Sequence, residues 1–251
     1  MRKKTKQTKK TNKKGKKSKV NRPRIASQIL LGSNESIGKN LISNYHYQSY
    51  SNMYRFFDYL VKSDNNINKQ LCLYPINYSM ISIDGKKDDL IQTYVYNPSN
   101  LVKRINSCKK RFIYIIININ QDDDISHSTI LLIDKKENNM EYFDPEYKKM
   151  VKNIPDKLKL FQSKFFHDFK LIIVTEKTNS VFQDKVDAYS GMCVTWCILY
   201  VHFRLINSKL SFNVILKEIS KYATKDILLK YGKLISRVVK GYTKGNITIE
   251  K

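Results

Sequence analysis

The sequence predicts an α+β domain with a mixed central sheet, and three observations carry that expectation. Residues 111–120, RFIYIIININ, form a continuous apolar, β-branched run of the kind found in a strand buried on both faces. Two further extended segments, 127–147 and 169–177, follow it in the chain. The stretches before and after this group carry apolar residues at helical spacing. Strands bracketed by helices, without regular βαβ alternation, fit an α+β arrangement.

Residues 1–24 hold thirteen Lys/Arg and no acid, and the first acidic residue is Glu35. With almost nothing apolar to bury, this segment is expected to be a disordered tail that attracts polyanions such as nucleic acid. A nuclear address is an alternative use of the same charges. Residues 25–50, rich in Ser, Asn and Tyr, are expected to be a linker or collar, which leaves 51–251 as the folded domain. At 41% hydrophobic residues, the chain can build a sizeable core. No run reaches the roughly 18–20 apolar residues of a membrane span, and no secretory h-region follows the basic segment. Four cysteines without a dense framework fit a reducing compartment, so a soluble intracellular protein is expected.

In the domain, 51–63 reads as a helix burying Met53, Phe56, Phe57, Leu60 and Val61, with Ser51 as its cap. Residues 71–83 are extended but interrupted by Pro75, and 97–110 reads as a helix opening after Pro98 with Leu101, Ile105 and Cys108 on one side. The segment HSTILLIDKKENNMEYFDPEY (127–147) reads as a β-hairpin closed by Pro145. A turn centred on Lys136-Glu137 makes the numbers of facing residues sum to about 273. Thr129 then faces Asp144 and His127 faces Glu146. His127 and Asp144 become diagonal neighbours on one face, with β-carbons about 7 Å apart. A carboxylate in that position can fix the tautomer of the imidazole and stabilise its protonated form. A slip of one residue would separate the two.

A polar loop, 178–190, leads into YSGMCVTWCILYVHF (189–203), expected as a central helix that buries Trp196 and Leu199 and exposes its beginning. Cys193 at that beginning is a candidate nucleophile, because unpaired N–H groups and the helix dipole favour a thiolate and a neighbouring imidazolium lowers its pKa further. Cys197, one turn on, is expected in the core. Neither zinc nor any other metal is expected, since Cys193, Cys197 and His202 lack a second ligand group. His46, His167 and His202 read as surface or packing residues. The remainder, 210–242, reads as two helices.

The order His127, Asp144, Gln183, Cys193 resembles the adenovirus-protease and SUMO-protease clan of cysteine peptidases. The segments HSTILLID, YFDP and GMCVTWCILYVHFRL, the last ending on Arg204-Leu205, are most similar to the cysteine proteases of large cytoplasmic DNA viruses. The chain departs from the cellular SUMO proteases, which commonly have Trp where Ser128 stands and Asp-Cys-Gly where Met192-Cys193-Val194 stands. The resemblance implies a papain-like fold with Cys193 as nucleophile, His127 as base and then acid, and Asp144 as its orienting partner. The Gln183 amide and the Cys193 backbone N–H would form the oxyanion hole, with no cofactor. It further implies cleavage after small residues or Gly, in viral structural polyproteins or ubiquitin-like modifiers. The implied location is the host cytoplasm or virion, with the nucleus as a further possibility. Two other readings stand beside it: an acetyltransferase of the same fold, and a non-catalytic nucleic-acid-binding or virion structural protein.

Overall fold

A computed structural model of the chain describes residues 48–74, 80–84, 91–93, 98–122, 125–146, 154–175, 192–222 and 225–244. The basic segment 1–24, the collar up to residue 47, His46, the loop 178–190 and Gln183 lie outside the described residues. The elements begin with α1 (Tyr50–Ser63), α2 (Asn65–Gln70), β1 (Leu71–Cys72), β2 (Met80–Asp84), β3 (Ile91–Thr93) and α3 (Pro98–Ser107). They continue with β4 (Phe112–Asp122), β5 (Ile125–Asp134), β6 (Asn139–Phe143), α4 (Ile154–Phe165) and β7 (Lys170–Ile173). Three helices close the order: α5 (Cys193–Ile206), α6 (Phe212–Tyr222) and α7 (Lys225–Thr243).

Local chemistry sets the boundaries. The cap of α1 is Ser49, whose hydroxyl accepts the Asn52 N–H at 3.1 Å, so the helix starts ahead of the expected cap, Ser51. Asp64 joins α1 to α2 without a loop. Its N–H bonds to the Leu60 carbonyl, while its carboxylate accepts from the Asn66 and Ile67 N–H groups. Pro155 sits in the first turn of α4, where its missing N–H has no helical partner to lose. That helix was not expected from the sequence, yet Ile154, Leu158 and Phe161 give it a buried face.

The sheet runs β3-β2-β4-β5-β6-β7, with β1 also pairing β4. The expected extended run 71–83 is divided: Leu71–Cys72 and Met80–Asp84 pair, both in parallel, with successive parts of β4. Alternation along β4 separates two cores. Phe112, Tyr114 and Ile116 pack with α1, α5, α6 and α7. Ile113, Ile115, Ile117 and Ile119 pack with α3 and α4. Each large apolar side chain so buried contributes about 1.5–3 kcal/mol, which is why the strand reads as an unbroken apolar run.

Helix α5 is enclosed almost all round; of its residues only His202 and Ile206 are not fully buried. Its beginning, expected to be exposed, is buried too, with Cys193 6% exposed. Cys108, expected on the apolar side of α3, instead lies just past that helix in a disulfide with Cys72, which departs from the all-reduced reading; Cys193 and Cys197 are free thiols.

Candidate active site

The hairpin places the first two site residues. Ile130 faces Phe143, Leu131 faces Tyr142 and Asp134 faces Asn139, the register that the turn at Lys136-Glu137 predicts. Asp144 is the residue after β6. His127 Nε2–H donates to Asp144 Oδ1 at 2.7 Å, with both residues buried. Asp144 is fixed further by the Glu146 N–H on Oδ1 at 2.8 Å and by the Tyr142 hydroxyl on Oδ2 at 3.1 Å. With Nε2 committed to the carboxylate, Nδ1 is the nitrogen left for chemistry. It lies 3.6 Å from a Glu146 carboxylate oxygen, on the side where His127 meets Cys193.

Why β6 stops explains how Cys193 gets there. The Val174 N–H bonds to the Tyr142 carbonyl, so the main-chain polar groups of Tyr142 face β7. By alternation those of Phe143 face β5, and Pro145 would be the next residue to face it, opposite Ser128. Proline has no N–H to offer, and the ladder ends. The two cysteines of α5 take over this edge. The Cys197 thiol donates to the Ser128 carbonyl at 3.6 Å, and the Ser128 N–H bonds the Cys193 sulfur. His127 is in phase with Leu131 and Ile133, on the sheet face away from α5. Nucleophile and imidazole therefore meet around the open rim of β5.

These contacts set the protonation of the site. Burial alone would lower the His127 pKa, but hydrogen bonds and charge from Asp144 and Cys193 outweigh it and hold the pKa well above the ordinary histidine value. Burial pushes the Cys193 thiol up, yet His127 and the main-chain and hydroxyl donors of Ser128 bring it below the usual thiol value. Cys197, enclosed and facing the charges of Cys193 and Asp144, is pushed well above that value. The arrangement favours a thiolate–imidazolium pair at residue 193 and a neutral thiol at 197.

A buried ionic cluster fixes α5 against the hairpin. Arg204 Nε and Nη2 donate to Glu141 of β6 at 2.9 and 2.8 Å, and Nη2 reaches Asp134 of β5 at 3.3 Å. The Tyr200 hydroxyl adds 2.6 Å to Glu141, and Arg111 holds Asp134 at 2.6 and 2.7 Å. One end of the hairpin is thus tied to the last turns of α5 while the other carries His127 and Asp144 beside the first turn. The sequence marked Arg204 only as part of a motif; its two carboxylate partners come from strands whose register is needed to place them. Gln183 is outside the described residues. His167 is exposed, whereas His202 is enclosed among Phe56, Phe203 and Tyr231.

No protein-family model matches this chain, and no curated protein sequence does. Its backbone resembles that of ChlaDub1 from Chlamydia trachomatis, with a TM-score of 0.51, 10% identity, and cover of 87% of this chain and 98% of that one. The chain has the SUMO-protease-type fold. Two looser likenesses are the Chlamydia trachomatis effector Cdu1 bound to ubiquitin and the SUMO protease Ulp1. The first has a TM-score of 0.48 and 11% identity over 80% of this chain and 94% of that one. The second has 0.41 and 13% over 81% of both. The expected papain-like α+β architecture, with a mixed sheet and a central cysteine-bearing helix, is therefore the observed one. No helix among the described residues is long and apolar enough to cross a membrane.

Proposed function

We propose that this chain is a thiol peptidase acting on ubiquitin-like modifiers, cleaving peptide or isopeptide bonds after small residues or Gly. The observation that carries the reading is the buried line Asp144–His127–Cys193, with its 2.7 Å carboxylate–imidazole bond and a sulfur that meets the other ring nitrogen. The Cys193 thiolate attacks the scissile carbonyl carbon and forms a tetrahedral oxyanion. The Cys193 N–H and the Gln183 side-chain amide are the proposed donors to that oxygen, one such donor being worth about 2.7–4 kcal/mol in acyl transfer. Protonated His127 gives its proton to the leaving amine, which breaks the C–N bond and leaves a thioester. Neutral His127 then takes a proton from water as the hydroxide adds. The second tetrahedral species collapses to a carboxylate and the Cys193 thiolate.

The choice of modifier follows the fold neighbours, one recorded with ubiquitin bound and one named a SUMO protease. Viral structural polyproteins are the alternative substrate, supported by the likeness of HSTILLID, YFDP and GMCVTW to viral proteases. Ubiquitin and SUMO carrying a C-terminal electrophile should each be tested for a covalent adduct with the full chain. An adduct with either that Cys193→Ala abolishes and Cys197→Ala retains is expected. An adduct that persists in Cys193→Ala would refute the assignment. Reaction with neither modifier, alongside cleavage of Gly-containing polyprotein junctions, would move the substrate to the viral alternative.

Residues 1–24 are proposed to hold the enzyme on nucleic acid. Their deletion should weaken binding to duplex DNA and flatten its dependence on salt. Unchanged affinity would refute that role.

A further inference from the structure

Ser128 touches Cys193 twice, through its N–H and its hydroxyl, yet the peptidase reading assigns that hydroxyl nothing. Ser128 is 5% exposed and stands opposite Asn118 in the β4–β5 pair, on the sheet face that carries α5. Tyr50, the first residue of α1, reaches both. Its hydroxyl lies 2.7 Å from Ser128 Oγ and 2.8 Å from Asn118 Oδ1.

We infer that Tyr50 and Asn118 are positioning residues that act through Ser128, keeping the single hydroxyl proton of Ser128 directed at the Cys193 sulfur. The inference rests on the peptidase reading and follows from counting protons. Ser128 can give its one proton to the sulfur or to Tyr50, not to both. If Tyr50 gives its own proton to Ser128, the Ser128 proton is free for the sulfur. The Tyr50 oxygen then accepts from Asn118, once the amide is turned so that Nδ2 replaces Oδ1 toward it; the two amide orientations are alike in shape. The ordered chain runs Asn118 Nδ2–H to Tyr50 O–H to Ser128 O–H to Cys193 S⁻. Charge on the sulfur favours this order. A thioester sulfur carries no charge, and the chain relaxes to its reverse, with Tyr50 donating to Asn118 and Ser128 donating to Tyr50. When the thioester breaks, the same hydroxyl is in place to receive the departing thiolate.

The test is the rate of iodoacetamide alkylation of Cys193 against pH, read by mass spectrometry of its peptide from the full folded chain. The wild-type midpoint is expected below the ordinary thiol value of about 8.5. Tyr50→Phe should raise it by about half to one pH unit and Ser128→Ala by at least as much. Ser128→Thr, which keeps the hydroxyl, should restore the wild-type midpoint. A structural role alone would change the melting temperature without moving the midpoint. Midpoints for Tyr50→Phe and Ser128→Ala equal to a low wild-type value would overturn the inference and leave the peptidase reading standing. A displaced Ser128→Thr midpoint would overturn it as well. A wild-type midpoint at the ordinary thiol value would overturn both.

Discussion

Cys193 and Cys197 stand one turn apart on α5, both almost fully enclosed, and both bonded to the main chain of Ser128. Burial raises both thiols, yet only Cys193 ends below the ordinary value. The first turn of the helix meets donors: an imidazolium, an N–H and a hydroxyl. The second turn meets only an acceptor, the Ser128 carbonyl, and the negative charges of Cys193 and Asp144. Enclosure therefore makes a thiol reactive or inert according to the partners it encloses.

The largest expected effect breaks the comparison at its centre. Cys193→Ala should reduce peptidase turnover to background, while Cys197→Ala should keep kcat within a few-fold and cost only about 1 kcal/mol of stability. Steady-state kinetics and denaturant unfolding read the two effects. Loss of turnover in both variants with stability intact would count against a single nucleophile.

Next comes Asp144→Ala, which removes the acceptor of His127 Nε2. A fall of about 10²–10⁴-fold in kcat/KM is expected, with the melting temperature checked in parallel. The pH profile sharpens the same point. Activity needs Cys193 deprotonated and His127 protonated. The acid limb should lie below the ordinary thiol value because the Cys193 pKa is lowered, and the alkaline limb above the ordinary histidine value because the His127 pKa is raised. A profile centred on an unperturbed imidazole, rising through about pH 6.5 and then flat, would contradict the pair.

Arg204→Ala tests what holds the two turns of α5 in place. It leaves Glu141 and Asp134 buried with fewer counter-charges, so a loss of about 3–5 kcal/mol is expected in urea unfolding. His202 gives the smallest effect and a contrast with His127. Enclosed among aromatic rings, it has its pKa lowered by burial to about 4 from 6.5. Between those values the unfolded chain binds the proton more readily, so stability is lost as pH falls from 6.5 toward 4, by up to about 3 kcal/mol. His202→Phe should remove this acid-dependent loss, whereas the His127 contribution is present in acid and is lost as pH rises through its raised pKa.

The parts of the site legible in the sequence were those governed by local rules. Period-two alternation and a short turn fixed the β5–β6 register, and with it the placement of His127 beside Asp144. The apolar run 194–201 marked the enclosed helix. What escaped reading depends on which strands become neighbours. The parallel pairing of β1 and β2 with β4, the short β3, and the Cys72–Cys108 bond all join residues far apart in the chain with no local signal. Tyr50 was assigned to a polar collar because its hydroxyl partners, Asn118 and Ser128, are set by β4–β5 pairing and by α1 packing. The enclosure of Cys193 was missed for a similar reason, since the sequence shows a helix start but not what packs over it.

The most direct test of the central claim is a brief treatment of the folded protein with iodoacetamide at pH 6, followed by peptide mapping of residues 193 and 197. The account predicts modification of Cys193, abolished by His127→Ala, with Cys197 unmodified. Equal modification of the two cysteines, or a Cys193 rate indifferent to His127, would contradict it.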